Sequence, residues 1–171
     1  MKILRTLSDL SSYLADENCQ SGCFADTGFL YAVAYEDDRL FGKANDVHDL
    51  LAEHKIDIFA NVVGRMEFVD LIFRKQVTNG CIRLFETLKR DMNNQTLHNL
   101  LKNIRDNDTA AKRRIESYKI NESRLKTLRK LVVQANYIAD WRDFCKKFVG
   151  SMLVEEWKQH EDELGLNFIE V

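Results

Sequence analysis

The chain contains no proline and only seven glycines among its 171 residues. Few positions therefore force a helix to stop, and a helix-rich fold is expected. It also lacks any long apolar run: no window approaches the ~18 residues that a membrane-crossing helix needs. Met1-Lys2-Ile3-Leu4-Arg5 is followed by Ser and Asp, with no apolar core and small-residue cleavage site of the signal-peptide kind. No membrane association and a cytoplasmic location are expected. Cysteine is sparse: Cys19, Cys23, Cys81 and Cys145 are scattered, with no matching pair and no histidine at ligand spacing. They read as free thiols of a reducing compartment.

What is present suits one globular domain covering 1–171. With 45% hydrophobic and 30% charged residues, the chain is long enough to bury a core and too polar for lipid. Its net charge of -2 hides a segregation. Residues 1–82 hold 8 Lys and Arg against 13 Asp and Glu, and residues 148–171 hold 1 against 6. Residues 83–147 hold 16 against 8, a surplus of +8. A basic helical block of this kind suits a phosphate-binding face, or it simply solvates a helical hairpin.

Hydrophobic spacing orders the elements. Ile3, Leu4, Leu7, Leu10, Tyr13 and Leu14 mark one face of a first helix. After Gly22, Cys23-Phe24-Ala25 reads as a short buried strand ending at Asp26, and Phe29 to Tyr35 as an apolar helical segment. Phe41, Ala44, Val47, Leu50 and Leu51 recover the helical period, and Ile56 to Ala60 reads as a second buried strand. Asn61 is placed to cap the next helix, which carries Val62, Val63, Met66, Val69, Ile72 and Phe73. Such a rhythm predicts an α/β layer with parallel strands. A helical excursion of two or three elements follows: Leu84 and Leu88, then Leu97, Leu100, Leu101 and Ile104, then Ile115 and Tyr118, and then Leu125, Leu128, Leu131 and Val132 fit helices, with the tip expected near Asn107 and Asp108. Trp141 and Trp157 are expected as core anchors, and Leu166 to Val171 as a closing strand.

Two carboxylates stand in apolar surroundings: Asp26, at the end of the first strand, and Glu67, in the helix after the second. A buried carboxylate is costly unless it is paired, hydrogen-bonded or bound to a cation, so the pair points to a metal site. Other roles are open to each. Asp26 suits a helix cap, and Glu67 suits an ion pair with Arg74 or Lys75. Asp37 and Asp38 read as turn residues near the cleft. His48, His54, His98 and His160 have no partner at catalytic spacing. Asp26-Thr27-Gly28 is also the tripeptide of aspartic proteases, but a helical, proline-free chain does not supply their strand-built scaffold.

The order Phe24-Ala25-Asp26-Thr27-Gly28-Phe29-Leu30-Tyr31-Ala32, then Asp37-Asp38, Ala44, a strand, and Val62-Val63-Gly64-Arg65-Met66-Glu67 resembles the opening of a PIN domain. This is the nuclease fold of VapC-type toxins and RNA-processing factors, and the resemblance covers roughly residues 23–75. It implies an α/β PIN-like three-layer fold with a short parallel sheet, here enlarged by a basic helical insertion over 83–147. It also implies Asp26 and Glu67 as catalytic residues and metal ligands, Thr27 as their support, and Mg2+ or Mn2+ as cofactor. Hard oxygen ligands suit those cations, which polarise a phosphodiester and activate water. The expected activity is that of a metal-dependent endoribonuclease.

Members of the family usually add an Asp-Ala pair opening a later helix and a further Asp, which are not plain here. Either the chain ends at the strand before them, a C-terminal truncation, or Asp108-Thr109-Ala110 and Asp140-Trp141-Arg142-Asp143-Phe144 stand in. Expected partners are RNA and, for a toxin-type protein, an antitoxin-like protein. Lys112, Arg113, Arg114, Lys119, Arg124, Lys126, Arg129 and Lys130 would guide the RNA backbone. The competing expectation is a catalytically silent module whose leucine stripes bind a protein partner or a second copy as a homodimer.

Overall fold

A computed structural model describes residues 6–15, 22–88, 92–134, 138–150, 159–160 and 162–169. Its contacts group into two compact units, 1–68 with 158–171, and 69–157. The expected insertion, 83–147, falls within the second of these.

The first unit is mixed α/β. Three parallel strands, β1 (Cys23–Phe24), β2 (Ile58–Asn61) and β3 (Leu166–Ile169), lie in the order β1-β2-β3. Cys23 pairs with Ile58 and Phe24 with Phe59, while Ile58 to Asn61 pair with Leu166 to Ile169. The short apolar runs read as strands are therefore strands, and parallel ones. Parallel neighbours need a crossover, which α2 (Thr27–Ala34) and α3 (Phe41–Glu53) supply between β1 and β2. Helix α2 is apolar almost throughout and buries Leu30, Tyr31 and Ala32; Ala44, Leu51, Ile58, Ala60 and Phe68 are also buried in this unit. Helix α1 (Leu7–Leu14) opens with a reciprocal cap, in which the Asp9 N–H donates to Thr6 Oγ1 at 3.0 Å and the Thr6 N–H to Asp9 Oδ2 at 3.1 Å.

Gly22 sets the entry to β1. Its φ of +81° is left-handed, and a Cβ there would lie 2.4 Å from the Phe59 ring and 2.8 Å from the Asp57 carbonyl oxygen. A side chain at 22 meets both backbone strain and a wall. Gly22→Ala is expected to lower stability by about 2–4 kcal/mol in urea unfolding; a change below about 1 kcal/mol would show that the turn re-forms freely.

The second unit is helical among the described residues. Helix α4 runs Val62–Leu88 without a break, joining two segments whose sequence periods were read separately, and the units divide within it, after Phe68. Its later part packs with α5 (Gln95–Lys112), α6 (Glu122–Gln134) and the short α7 (Trp141–Phe144) around Val77, Leu84, Leu97, Leu101, Ile104, Leu128, Val132 and Phe144. A π-helical turn, Cys145–Val149, follows, and Gly80 lets it approach α4: a Cβ at 80 would meet the Phe148 carbonyl oxygen at 2.9 Å. Trp141 packs on this core and stacks on Phe144 at 4.9 Å, as expected of an anchor, whereas Trp157 lies outside the described residues.

The expected tip of the excursion is corrected. Helix α5 continues through Asn107 and Asp108 to Lys112, and the chain turns only over 113–121, where Ile115 takes a φ of 55°. Ile115 and Tyr118 are therefore not helical. Asp108 does not open a helix but is buried within one, its oxygens 2.8 Å from Lys112 Nζ and 3.9 Å from Lys75 Nζ.

Candidate functional site

Strands β1 and β2 are parallel and in register, so both end on the same side of the sheet, where ligands bind in open α/β folds. Asp26 lies just past β1, extended at φ -83° and ψ 166°, and is the N-cap of α2: its Oδ1 accepts the Phe29 N–H at 2.7 Å. The capping role open to Asp26 is thus one it performs. A cap uses one oxygen, and Oδ2 makes no hydrogen bond or ion pair among the described residues. The positive end of α2 favours a carboxylate there.

At the end of β2 the Asn61 side chain caps α4 as its position suggested, Oδ1 accepting the Gly64 N–H at 2.7 Å. That cap starts the helix so that Glu67, in its second turn, reaches back to α2. Thr27 Oγ1 donates to Glu67 Oε2 at 2.7 Å, between residues forty apart in sequence. The geometry brings Asp26, Thr27 and Glu67 into one neighbourhood. The alternative ion pairs of Glu67 are not formed, since Arg74 lies against Asp70 at 2.8 Å and Lys75 near Asp108.

Donor chemistry decides what this pair can hold. Each carboxylate keeps one oxygen free of protein partners among the described residues. Two hard oxygen donors suit Mg2+ or Mn2+, which bind through one or two carboxylates and retain waters. Among the described residues, no group of three or more His, Cys, Asp and Glu is placed to hold a metal. The suggested stand-ins have other local work: Asp108 pairs with Lys112 and Lys75, and Asp140 caps α7 by accepting the Asp143 N–H at 2.8 Å.

A cavity of about 270 Å³ opens beside Asp26, between Phe24, Phe29 and the α3 residues Val47 and Leu51. Cys23 also lines it, but burial pushes its thiol pKa up, so it is not a thiolate nucleophile. Phe24 (68% exposed), Val63 (62%) and Met66 (68%) leave apolar surface open in this unit, which corrects the expectation of a buried first strand and of Val63 and Met66 on a packed helix face: apolar spacing groups residues on one side but does not fix what covers it. Asp38 acts as the turn residue expected, its Oδ1 accepting the Leu40 N–H at 2.9 Å. His160 packs on the Tyr35 and Phe68 rings, and His98 on Phe85, so both serve in packing. No helix among the described residues is long and apolar enough to cross a membrane. No protein-family model, curated protein or solved structure matches the chain.

Proposed function

We propose that this chain carries the acidic site of a PIN-like, divalent-metal-dependent endoribonuclease, with Asp26 and Glu67 as the two carboxylates that hold Mg2+ or Mn2+. The observation that carries this reading is the Thr27–Glu67 hydrogen bond at 2.7 Å, which ties the helix after β2 to the residue beside Asp26 at the carboxyl ends of two parallel strands. A cation bound there supplies positive charge for the scissile phosphate and a water of lowered pKa. The chain's own residues prepare that chemistry. The α2 N–H fixes one oxygen of Asp26 and leaves the other for the cation, and Thr27 selects one orientation of Glu67. The surplus of 16 basic over 8 acidic residues in 83–147 attracts the RNA backbone.

Incubating the protein with single-stranded RNA and Mn2+ tests this directly. Cleavage is expected, abolished by EDTA and by Glu67→Gln; equal cleavage by wild type and variant would reject the reading.

A second reading, a catalytically silent interaction module, draws on the exposed Phe24, Val63 and Met66 and on the lack of a third acidic group near the pair among the described residues. Light scattering that returns a strict monomer, together with metal-dependent cleavage, would remove it.

A further inference from the structure

Between the later part of α4 and α6 lies another cavity, about 360 Å³ in volume, with Phe73 and Leu125 as apolar walls. Three cations line it, Arg74, Lys126 and Arg129, against two carboxylates, Asp70 and Glu122. Their pairing is incomplete. Arg74 Nε lies 2.8 Å from Asp70 Oδ2 without the alignment of a hydrogen bond, and this buried N–H has no acceptor among the described residues. Lys126 meets Glu122 at 2.7 Å, but both side chains are largely exposed and such i,i+4 pairs exchange readily with other ions. Arg129 has no carboxylate partner among the described residues and is held with its guanidinium 5.1 Å from the centre of the Trp141 ring.

Two guanidiniums therefore line one cavity, Arg129 without a carboxylate partner and Arg74 with its Nε–H unaligned to Asp70 among the described residues. The fields of the two helices meet there, because the Glu122 carboxyl is held below its usual range first by Lys126 and also by Arg74 from across the gap. A planar fork of donors suits the oxygens of a phosphate better than a single carboxylate. Arg124 and Lys130 add further positive charge on the same helix, α6.

We propose that this cavity is an anchoring site for a backbone phosphate of single-stranded RNA, gripped by Arg74 and Arg129, with Lys126 as an added charge and Phe73 and Leu125 against the sugar or base. The proposal rests on the RNA reading above and names where the second unit holds that substrate.

The test is fluorescence anisotropy of a 5′-labelled single-stranded oligoribonucleotide in EDTA, so that binding is read without cleavage. Arg74→Gln/Arg129→Gln is expected to weaken binding at least tenfold and to flatten the dependence of log K on log salt by about 1.4, two contacts at ~0.7 each. Lys102→Gln, exposed on α5, which lends no residue to the cavity, should cost less than threefold. Lys126→Gln, an exposed position that folding does not need, should weaken binding about two- to fourfold. Equal losses in the cavity variants and in Lys102→Gln would overturn the proposal as mere charge, and displacement of the RNA by polyglutamate as effectively as by unlabelled RNA would overturn it in favour of an acidic polypeptide. Failure to bind the RNA at all would also overturn it. The two readings fail separately: cleavage lost in Glu67→Gln with binding unchanged in the arginine variants removes only the anchor, while arginine-dependent binding without any cleavage removes only the nuclease.

Discussion

Asp26→Asn is expected to abolish RNA cleavage while leaving the folded protein as stable as the wild type, and Asp26→Ala to lose both. The separation follows from the two oxygens of one side chain. Oδ1 caps α2 through the Phe29 N–H at 2.7 Å, a role that asparagine performs about as well as aspartate. Oδ2 is the oxygen left for a cation, and an amide there carries no charge and binds Mg2+ or Mn2+ weakly. Loss of a group that stabilises charge in the transition state costs on the order of 10²–10³ in rate. Alanine removes the cap as well, which costs about 1 kcal/mol. The measurement is initial cleavage rate with Mn2+ beside urea unfolding of each variant. If Asp26→Asn cleaved within about threefold of wild type, Asp26 would be a cap and nothing more. Thr27→Val refines the point: it keeps the shape of residue 27 but removes the hydroxyl that orients Glu67, so the rate should fall less than in Asp26→Asn and recover in Thr27→Ser.

The site was legible to the extent that it depends on local chemistry. An Asp after a short apolar strand and an Asn before a long amphipathic stretch each announce a strand-to-helix turn, and both side chains cap helices where the sequence placed them. The parallel pairing of β1 with β2 and of β2 with β3 follows from apolar runs separated by helices. The Thr27–Glu67 bond was not legible, because residues forty apart meet only once the strands are in register. The partner of Arg74 was legible from spacing: Asp70 precedes it by four residues, the distance at which helix side chains meet, whereas Glu67 lies seven residues away and does not take it.

The helical unit shows a different limit. Leucine spacing found α5 and α6, yet Asn107-Asp108 read as a turn because both residue types favour turns and caps. Tertiary pairing overrode that preference: Lys75 from α4 and Lys112 from the next turn of α5 make a carboxylate tolerable inside the helix core. The real turn, over 113–121, carries no glycine or proline, and Ile115 adopts a left-handed φ of 55° that no local signal favours. Its backbone is anchored from outside the segment, where the Ile120 N–H donates to the buried Thr78 hydroxyl of α4 at 2.9 Å.

The same pairing gives the second large effect, and it is one of stability. Asp108 is 3% exposed and Lys75 5%, so their charges are held in the interior, whereas Lys112 at 57% side-chain exposure stays in water. Asp108→Ala therefore takes a carboxylate away from a buried ammonium, and breaking a buried pair from one side costs about 3–5 kcal/mol. Removing both charges is a different matter, since neither desolvation penalty then remains. Lys75→Met/Asp108→Leu should recover most of the loss and bring the unit within about 1–2 kcal/mol of wild type. Urea unfolding followed by tryptophan fluorescence reads the right unit through Trp141, which packs on its core. An Asp108→Ala loss below about 1 kcal/mol would mean that water or a shifted side chain compensates Lys75. A double variant as unstable as the single would instead place the loss in the packing of Asp108 against α5 and α4, independent of charge.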